Sequence, residues 1–270
     1  MPLAVCATPI GNLDDVTLRV LSALREADVV LCEDTRRTRI LLDRHDIEAK
    51  LVSYHRLNEA SRASEVLHRL EQEERVALVS DAGLPGVNDP GARLIRAAID
   101  AGLPVHVLPG PSAVETALVA SGLVEGTYRF VGYLPRRRPE RAKLGEELAR
   151  WPYAVVAFES PRRLPASLAA LASVMPDRPA AICRELTKRY EEIVRGSLAE
   201  LAARFTEPAR GEITLVLGGV KSPAGATVPV DEARRAVAEL VEAGVRRRQA
   251  SDVVARLTGA SRNALYRESL

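Results

Sequence analysis

The 270-residue chain is 47% hydrophobic and 27% charged, and its 38 Lys and Arg stand against 36 Asp and Glu for a formal charge of +2. That balance excludes a disordered or fibrous chain, and the length exceeds what one ordinary core needs. Mean hydropathy is −0.04, and no apolar run approaches the roughly 20 residues of a bilayer-spanning helix.

The N-terminus enters a strand-like run at once, with no basic leader before it, so no signal or transit peptide is read and a cytoplasmic location is expected. Through the first 110 residues, short aliphatic runs alternate with helical patterns. Strands are predicted at Leu3–Ala7, Val29–Cys32, Leu51–Tyr54, Val76–Ser80 and Val105–Leu108. Helices are predicted at Thr17–Glu26, Arg36–Arg44, Glu59–Gln72 and Pro90–Ala101. Strands apolar on both faces, each followed by a helix, imply a mainly parallel sheet covered on both sides. Pro109-Gly110-Pro111-Ser112 breaks the pattern, and Ser112 reads as the N-cap of a helix through Ser121.

A second α/β region follows, with strands expected at Tyr128–Gly132, Ala154–Phe158, Ala180–Arg184, Glu192–Arg195 and Ile213–Leu217. Its helices are expected at Pro139–Arg150, Arg162–Met175 and Ser197–Phe205. Adjacent strands near 180–195 imply a mixed sheet with a hairpin at Leu186–Tyr190. Lys221–Pro229 reads as a linker. The tail reads as three helices, Val230–Ala243, Arg247–Leu257 and Ser261–Arg267, with a turn at Thr258–Ser261 and Ala250 and Val254 as packing positions. That pattern resembles a helix-turn-helix. The domains are therefore 1–110, 111–220 and a basic module at 230–270.

Charge is unevenly placed. Five cations face one acid between Arg136 and Lys143, and six arginines face one Asp between Arg246 and Arg267. Local basic patches on a balanced chain imply a polyanionic partner. The three cysteines and four histidines lie far apart, which argues against a disulfide framework and a metal site. No G-x-G-x-x-G follows the first strand, no phosphate loop is complete and no G-x-S-x-G elbow is present, which disfavours common dehydrogenases, NTPases and serine hydrolases.

Four loops at strand ends hold more Gly, Pro and acid than plain connectors need: Thr8–Leu13, Glu33–Arg36, Ser80–Gly91 and Pro109–Ser112. Repeated glycines let backbone approach a ligand closely. Within the third loop, Asp81 could accept hydrogen bonds from an amine or hydroxyl, whereas Asp89 reads as a cap for the helix expected from Pro90.

The Thr-Pro-Ile-Gly-Asn-Leu opening, Ser80-Asp81-Ala82-Gly83-Leu84-Pro85 and Pro109-Gly110-Pro111-Ser112 resemble the tetrapyrrole methylase superfamily, the class III S-adenosylmethionine-dependent methyltransferases. A finer likeness is carried by Glu33–Arg36, Phe158–Arg163, Arg184–Lys188 and Gly211–Val216, in that order. It is to members that act on small-subunit ribosomal RNA. The resemblance implies two α/β domains with the cofactor cleft between them, plus the small C-terminal helical module. It implies S-adenosyl-L-methionine as cofactor, a homodimer, and 2'-O-methylation of a decoding-region cytidine in 16S rRNA of the small ribosomal subunit.

By motif position, the candidate cofactor-binding residues are Pro9, Gly11, Asp81, Ala82, Gly83, Pro85, Gly110, Ser112, Tyr133 and Leu134. Methyl transfer to a ribose hydroxyl needs positioning, and a base or a cation near the oxygen. Lysine is scarce, so Lys188 is the pointed catalytic candidate, followed by Glu33, Asp34, Arg36 and Glu185. Asp34 and Arg36 also read as a helix cap with a salt-bridged first turn, and Glu159 with Arg162 as an ion pair at a helix start. Candidate RNA contacts are Arg136, Arg137, Arg138, Arg162, Arg246, Arg247, Arg248 and Arg262. Two other readings stand beside this one: a precorrin-type tetrapyrrole C-methyltransferase, and a helix-turn-helix DNA-binding regulator whose α/β part senses a ligand.

Overall fold

The computed structural model describes residues 2–124, 126–220, 230–258 and 260–267. The expected linker at 221–229 and Gly259 of the expected turn lie outside the described residues. By contacts the chain divides into two compact units, Met1–Val220 and Lys221–Leu270.

The first unit opens with a five-stranded sheet of β1 (Leu3–Cys6), β2 (Val29–Cys32), β3 (Leu51–Ser53), β4 (Val76–Val79) and β5 (Val105–Leu108), in the order β3-β2-β4-β1-β5. Every pairing is parallel. The connecting helices are α1 (Leu18–Glu26), α2 (Thr35–Arg44), α3 (Glu59–Glu71) and α4 (Ala92–Asp100). Leu21, Leu24 and Leu42 of α1 and α2 pack on one face with Cys6 and Val30. Val66, Leu70 and Leu94 of α3 and α4 pack on the other with Val5 and Leu31. The chain leaves the neighbouring strands β1 and β4 toward opposite faces. A crevice opens at such a point, outside the carboxyl ends of the strands.

The second sheet runs β6 (Tyr128–Tyr133), β7 (Ala154–Glu159), β10 (Ile213–Leu217), β8 (Pro179–Arg184) and β9 (Glu192–Ser197). Only β6 and β7 pair in parallel, so the sheet is mixed as expected. Helix α5 (Ala113–Ser121) covers one face, where Val114, Ala117 and Leu118 meet Val156, Ala181 and Val216. Helices α6 (Arg138–Ala149), α7 (Leu164–Ala172) and α8 (Leu198–Arg204) cover the other through Leu148, Leu168 and Leu201. All five residues of β10 are buried, as a central strand covered on both faces requires.

Buried Arg178 sits among carbonyls in this second sheet. It donates to Gly218 O at 2.9 Å, Trp151 O at 3.1 Å and Tyr153 O at 2.8 Å, and also to Leu148 O. Burial pulls its pKa down. Four carbonyl acceptors supply what water no longer does.

The second unit holds α9 (Val230–Glu242), α10 (Arg247–Thr258) and α11 (Arg262–Arg267) around Ala233, Val237, Ala250, Val254 and Leu265. Ala250 and Val254 are its buried packing positions, as their spacing predicts. Arg246, Arg248 and Arg262 are exposed and Arg247 is half-buried. Arg262 pairs with Asp252. Among the described residues, no helix is long and apolar enough to cross a membrane.

Candidate active site

All four glycine-rich or acidic loops leave the carboxyl ends of β1, β2, β4 and β5, so the parallel sheet alone places them at one rim. Two of them are zipped together. Thr8 N donates to Gly83 O at 2.9 Å and Gly83 N returns a bond to Thr8 O at 3.0 Å. The Thr8 hydroxyl adds a bond to Ser80 O at 3.0 Å. Asp81 then holds the loop after β2. Its Oδ1 accepts from Asp34 N at 3.1 Å, and its Oδ2 lies 3.5 Å from Arg37.

Between this rim and the second sheet is a cleft of about 760 Å³. The first sheet contributes Glu33, Arg37, Asp81, Ala82, Gly83, Asp89, Gly110 and Ser112 to its wall. The second contributes Tyr133, Phe130, Phe158, Gly211 and Glu212. Of the predicted cofactor positions, Asp81, Ala82, Gly83, Gly110, Ser112 and Tyr133 line the cleft. Pro9, Leu134 and Pro85 do not line it: all three are buried, and Pro85 stands against Gly91.

Gly11 packs elsewhere. A Cβ there would lie 2.5 Å from Lys188 Cγ and 2.8 Å from Leu186 O. Asn12 N donates to Thr187 Oγ1 at 3.0 Å. The missing side chain is thus a notch that receives the hairpin between β8 and β9.

That hairpin carries the predicted lysine. Lys188 Nζ donates to Glu185 Oε1 and to Glu212 Oε2, each at 2.8 Å. Burial works against its charge, but the hydrogen bonds to the two carboxylates outweigh it and raise its pKa. Glu185 moves down, first through the bond from Lys188. Its Oε1 also accepts Glu212 N at 2.9 Å. Lys188 is therefore a held cation and not a base; neither it nor Glu185 lines the cleft, and Glu212 links them to its wall.

The acids after β2 separate in role. Asp34 caps α2 and its carboxylate grips Arg36 at 2.8 Å, so these two form the capped first turn that the sequence also allows. Glu33 faces the cleft, where burial and then the charge of Asp81 raise its pKa.

Asp89 departs from its predicted role. The helix starts at Ala92, not Pro90, and Glu59 of α3 accepts the Gly91 and Arg93 amides at 3.1 and 3.2 Å. With its capping place taken, Asp89 lines the cleft, and burial, then Glu33, then Asp81 push its pKa up to about 6. The folded state therefore keeps a proton that the unfolded chain releases nearer pH 4, and stability falls as pH rises through that window. Asp89→Asn is expected to raise the melting temperature by about 2–4 °C at pH 8, a shift worth roughly 1 kcal/mol after allowance for partial exposure. Thermal melts at pH 4 and pH 8 check this; an equal gain at both would refute it.

Two further pairings differ from expectation. Buried Glu159 takes Arg163 at 2.6 Å, not Arg162, and also accepts the Ser160 amide and the Ser167 hydroxyl. Arg162 is exposed. Ser112 does precede α5, but its hydroxyl bonds Glu115, which also accepts Tyr128 OH at 2.7 Å. Arg136, Arg137 and Arg138 are exposed just beyond Tyr133. Sequence reasoning missed Glu212, Glu115, Tyr128 and Phe158, each brought to the cleft by pairing across the second sheet or its helix.

Comparison with known proteins adds a lineage. The family model for tetrapyrrole (corrin/porphyrin) methylases matches residues 2–202. A ribosomal RNA small subunit methyltransferase I from Micromonospora olivasterospora is 45% identical over 98% of this chain and 85% of its own length. A protein of the same name from Thermotoga maritima is 41% identical over 218 residues, 80% of this chain but 98% of that protein. Among solved structures, the uroporphyrin-III C-methyltransferase from Thermus thermophilus in complex with S-adenosylhomocysteine is similar at a TM-score of 0.55 and 20% identity. That match covers 80% of this chain and 96% of the other.

Proposed function

The chain belongs to the tetrapyrrole methylase family and, within it, to the ribosomal RNA small subunit methyltransferases I, and from that premise we propose that it transfers a methyl group from S-adenosyl-L-methionine to a ribose 2'-hydroxyl of 16S rRNA. The acceptor is a decoding-region cytidine, the enzyme acts in the cytoplasm, and it works as a homodimer.

The cleft suits this donor. The methionine-derived ligand carries positive charge at sulfur and at its amino group. Glu33, Asp81, Asp89, Glu115, Glu159 and Glu212 line the cleft, against Arg37 as the one lining cation among the described residues. Its volume falls within the range of nucleotide-sized pockets. Asp81, the Ala82-Gly83 backbone, Gly110 and Ser112 would hold the donor from the first sheet, and Tyr133 from the second. When bound, the donor supplies an activated methyl on a sulfonium.

The chain's own residues supply the rest. The ammonium of Lys188, fixed by two carboxylates, favours negative charge developing on the attacking ribose oxygen. Glu33 and Asp89 have pKa values moved toward neutrality, which suits a group that takes up the hydroxyl proton. Sheets 1–110 and 111–220 form the two walls, and 230–270 adds a basic module for RNA. The Thermotoga relative spends 98% of its length on 80% of this chain, so about a fifth of this chain has no counterpart there, as a module serving affinity and not chemistry would allow.

The observation that carries the reading is an acid-lined cleft with one doubly held lysine at its edge. The test incubates the protein and labelled donor with small ribosomal subunits, naked 16S rRNA, a precorrin-type tetrapyrrole and duplex DNA. Label on a 2'-O-methyl cytidine is expected. Label on the macrocycle would favour the C-methyltransferase reading, and DNA binding without transfer the regulator.

A further inference from the structure

The acid-lined cleft raises a difficulty for its own substrate, because a phosphate backbone approaching it meets like charge. The cleft's mouth carries the answer. Register pairs Cys32 with Ser53, so the chain beyond β3 leaves beside Glu33. There Asn58 closes a tight turn: its Oδ1 accepts His55 N at 2.7 Å and its Nδ2 donates to Ser53 O at 3.1 Å. The turn pins Arg56 and the 93%-exposed Leu57 at its tip. Positive charge on Arg56 is felt at both Glu33 and Asp89.

Across the cleft, exposed Arg210 immediately precedes the lining residue Gly211, and exposed Arg162 follows the lining residue Pro161. Several exposed arginines of the first unit are neutralised by a carboxylate, as Arg36, Arg44 and Arg75 are. Among the described residues, Arg56, Arg162 and Arg210 are three of the exposed arginines with no carboxylate in ion-pair reach, and their place beside residues that line the cleft sets them apart. A solvent-facing guanidinium without a carboxylate partner keeps its five donors free, in a planar fork that matches phosphate geometry.

We propose that Arg56 and Arg210 are acceptor-phosphate anchors on opposite lips of the cleft, which with Arg162 form a basic collar around an acidic pocket. The pocket selects the cationic donor and the collar carries the polyanionic acceptor over it. This rests on the RNA methyltransferase reading and adds two residues to the acceptor site.

The test uses the full chain and Arg56→Ala, Arg210→Ala and the double variant, with Arg150→Ala at the far end of α6 as control. Filter binding to small subunits and to naked 16S rRNA is measured from 50 to 200 mM salt. Each anchor variant is expected to bind roughly 5–10-fold more weakly, with the log–log salt slope reduced by about one per arginine. Calorimetric affinity for S-adenosylhomocysteine and the melting temperature serve to show an intact fold and pocket. Wild-type affinity and slope in the double variant would overturn the proposal. If the wild-type chain binds RNA yet transfers no methyl to it, the functional reading fails, while the salt slopes still decide the collar.

Discussion

Replacing Lys188 by alanine is expected to slow methyl transfer by about 100-fold or more while leaving donor affinity within a few fold. The ammonium bridges Glu185 and Glu212 at 2.8 Å to each. Its removal subtracts the cation and leaves two carboxylates facing each other at the cleft edge. Lys188→Arg keeps the charge but not the compact three-donor geometry, so it should restore only part of the rate. Single-turnover transfer to small subunits, with calorimetry of S-adenosylhomocysteine binding, separates these effects. Unchanged turnover in the alanine variant would remove Lys188 from the mechanism.

A larger structural effect is expected at Gly211. Its φ of +87° lies in the left-handed region, and an added Cβ would fall 2.4 Å from Glu185 Cγ and 2.5 Å from Glu185 Oε1. Gly211→Ala therefore combines backbone strain with eviction of the carboxylate that holds Lys188. Loss of about 2–4 kcal/mol of stability is expected, together with a fall in transfer rate like that of Lys188→Ala. Gly102→Ala is the matched control, since Gly102 has φ +71° but nothing within 4 Å of the added Cβ. It should cost about 1 kcal/mol and leave transfer untouched. If both variants lose activity equally, the contact with Glu185 is not the cause.

The parts of this molecule that were legible in sequence are those set by local period. Val29–Cys32, Val105–Leu108 and Ile213–Leu217 form strands at the predicted bounds, because aliphatic runs closed by polar residues have few other uses in an α/β chain. The alternation of strand and helix likewise put four loops at one end of a parallel sheet.

What was not legible depends on distant residues. Asp89 follows a pattern typical of a helix cap, yet Glu59 reaches across from α3 to take that place, and nothing near Pro90 announces it. The rarity of lysine marks Lys188 out, but its partner Glu212 is 24 residues away and comes alongside only because β10 pairs with β8. Glu159 chose Arg163 over Arg162 because the turn between β7 and α7 aims one inward and leaves the other in water.

The notch at Gly11 has a mechanical consequence. The stem of Lys188 beds against the loop after β1, although the lysine belongs to the other sheet. Any breathing of the two walls apart would draw that stem from its seat and move the ammonium with it. On the role proposed for Lys188, its charge would thereby be geared to closure, seated only while the halves stand together.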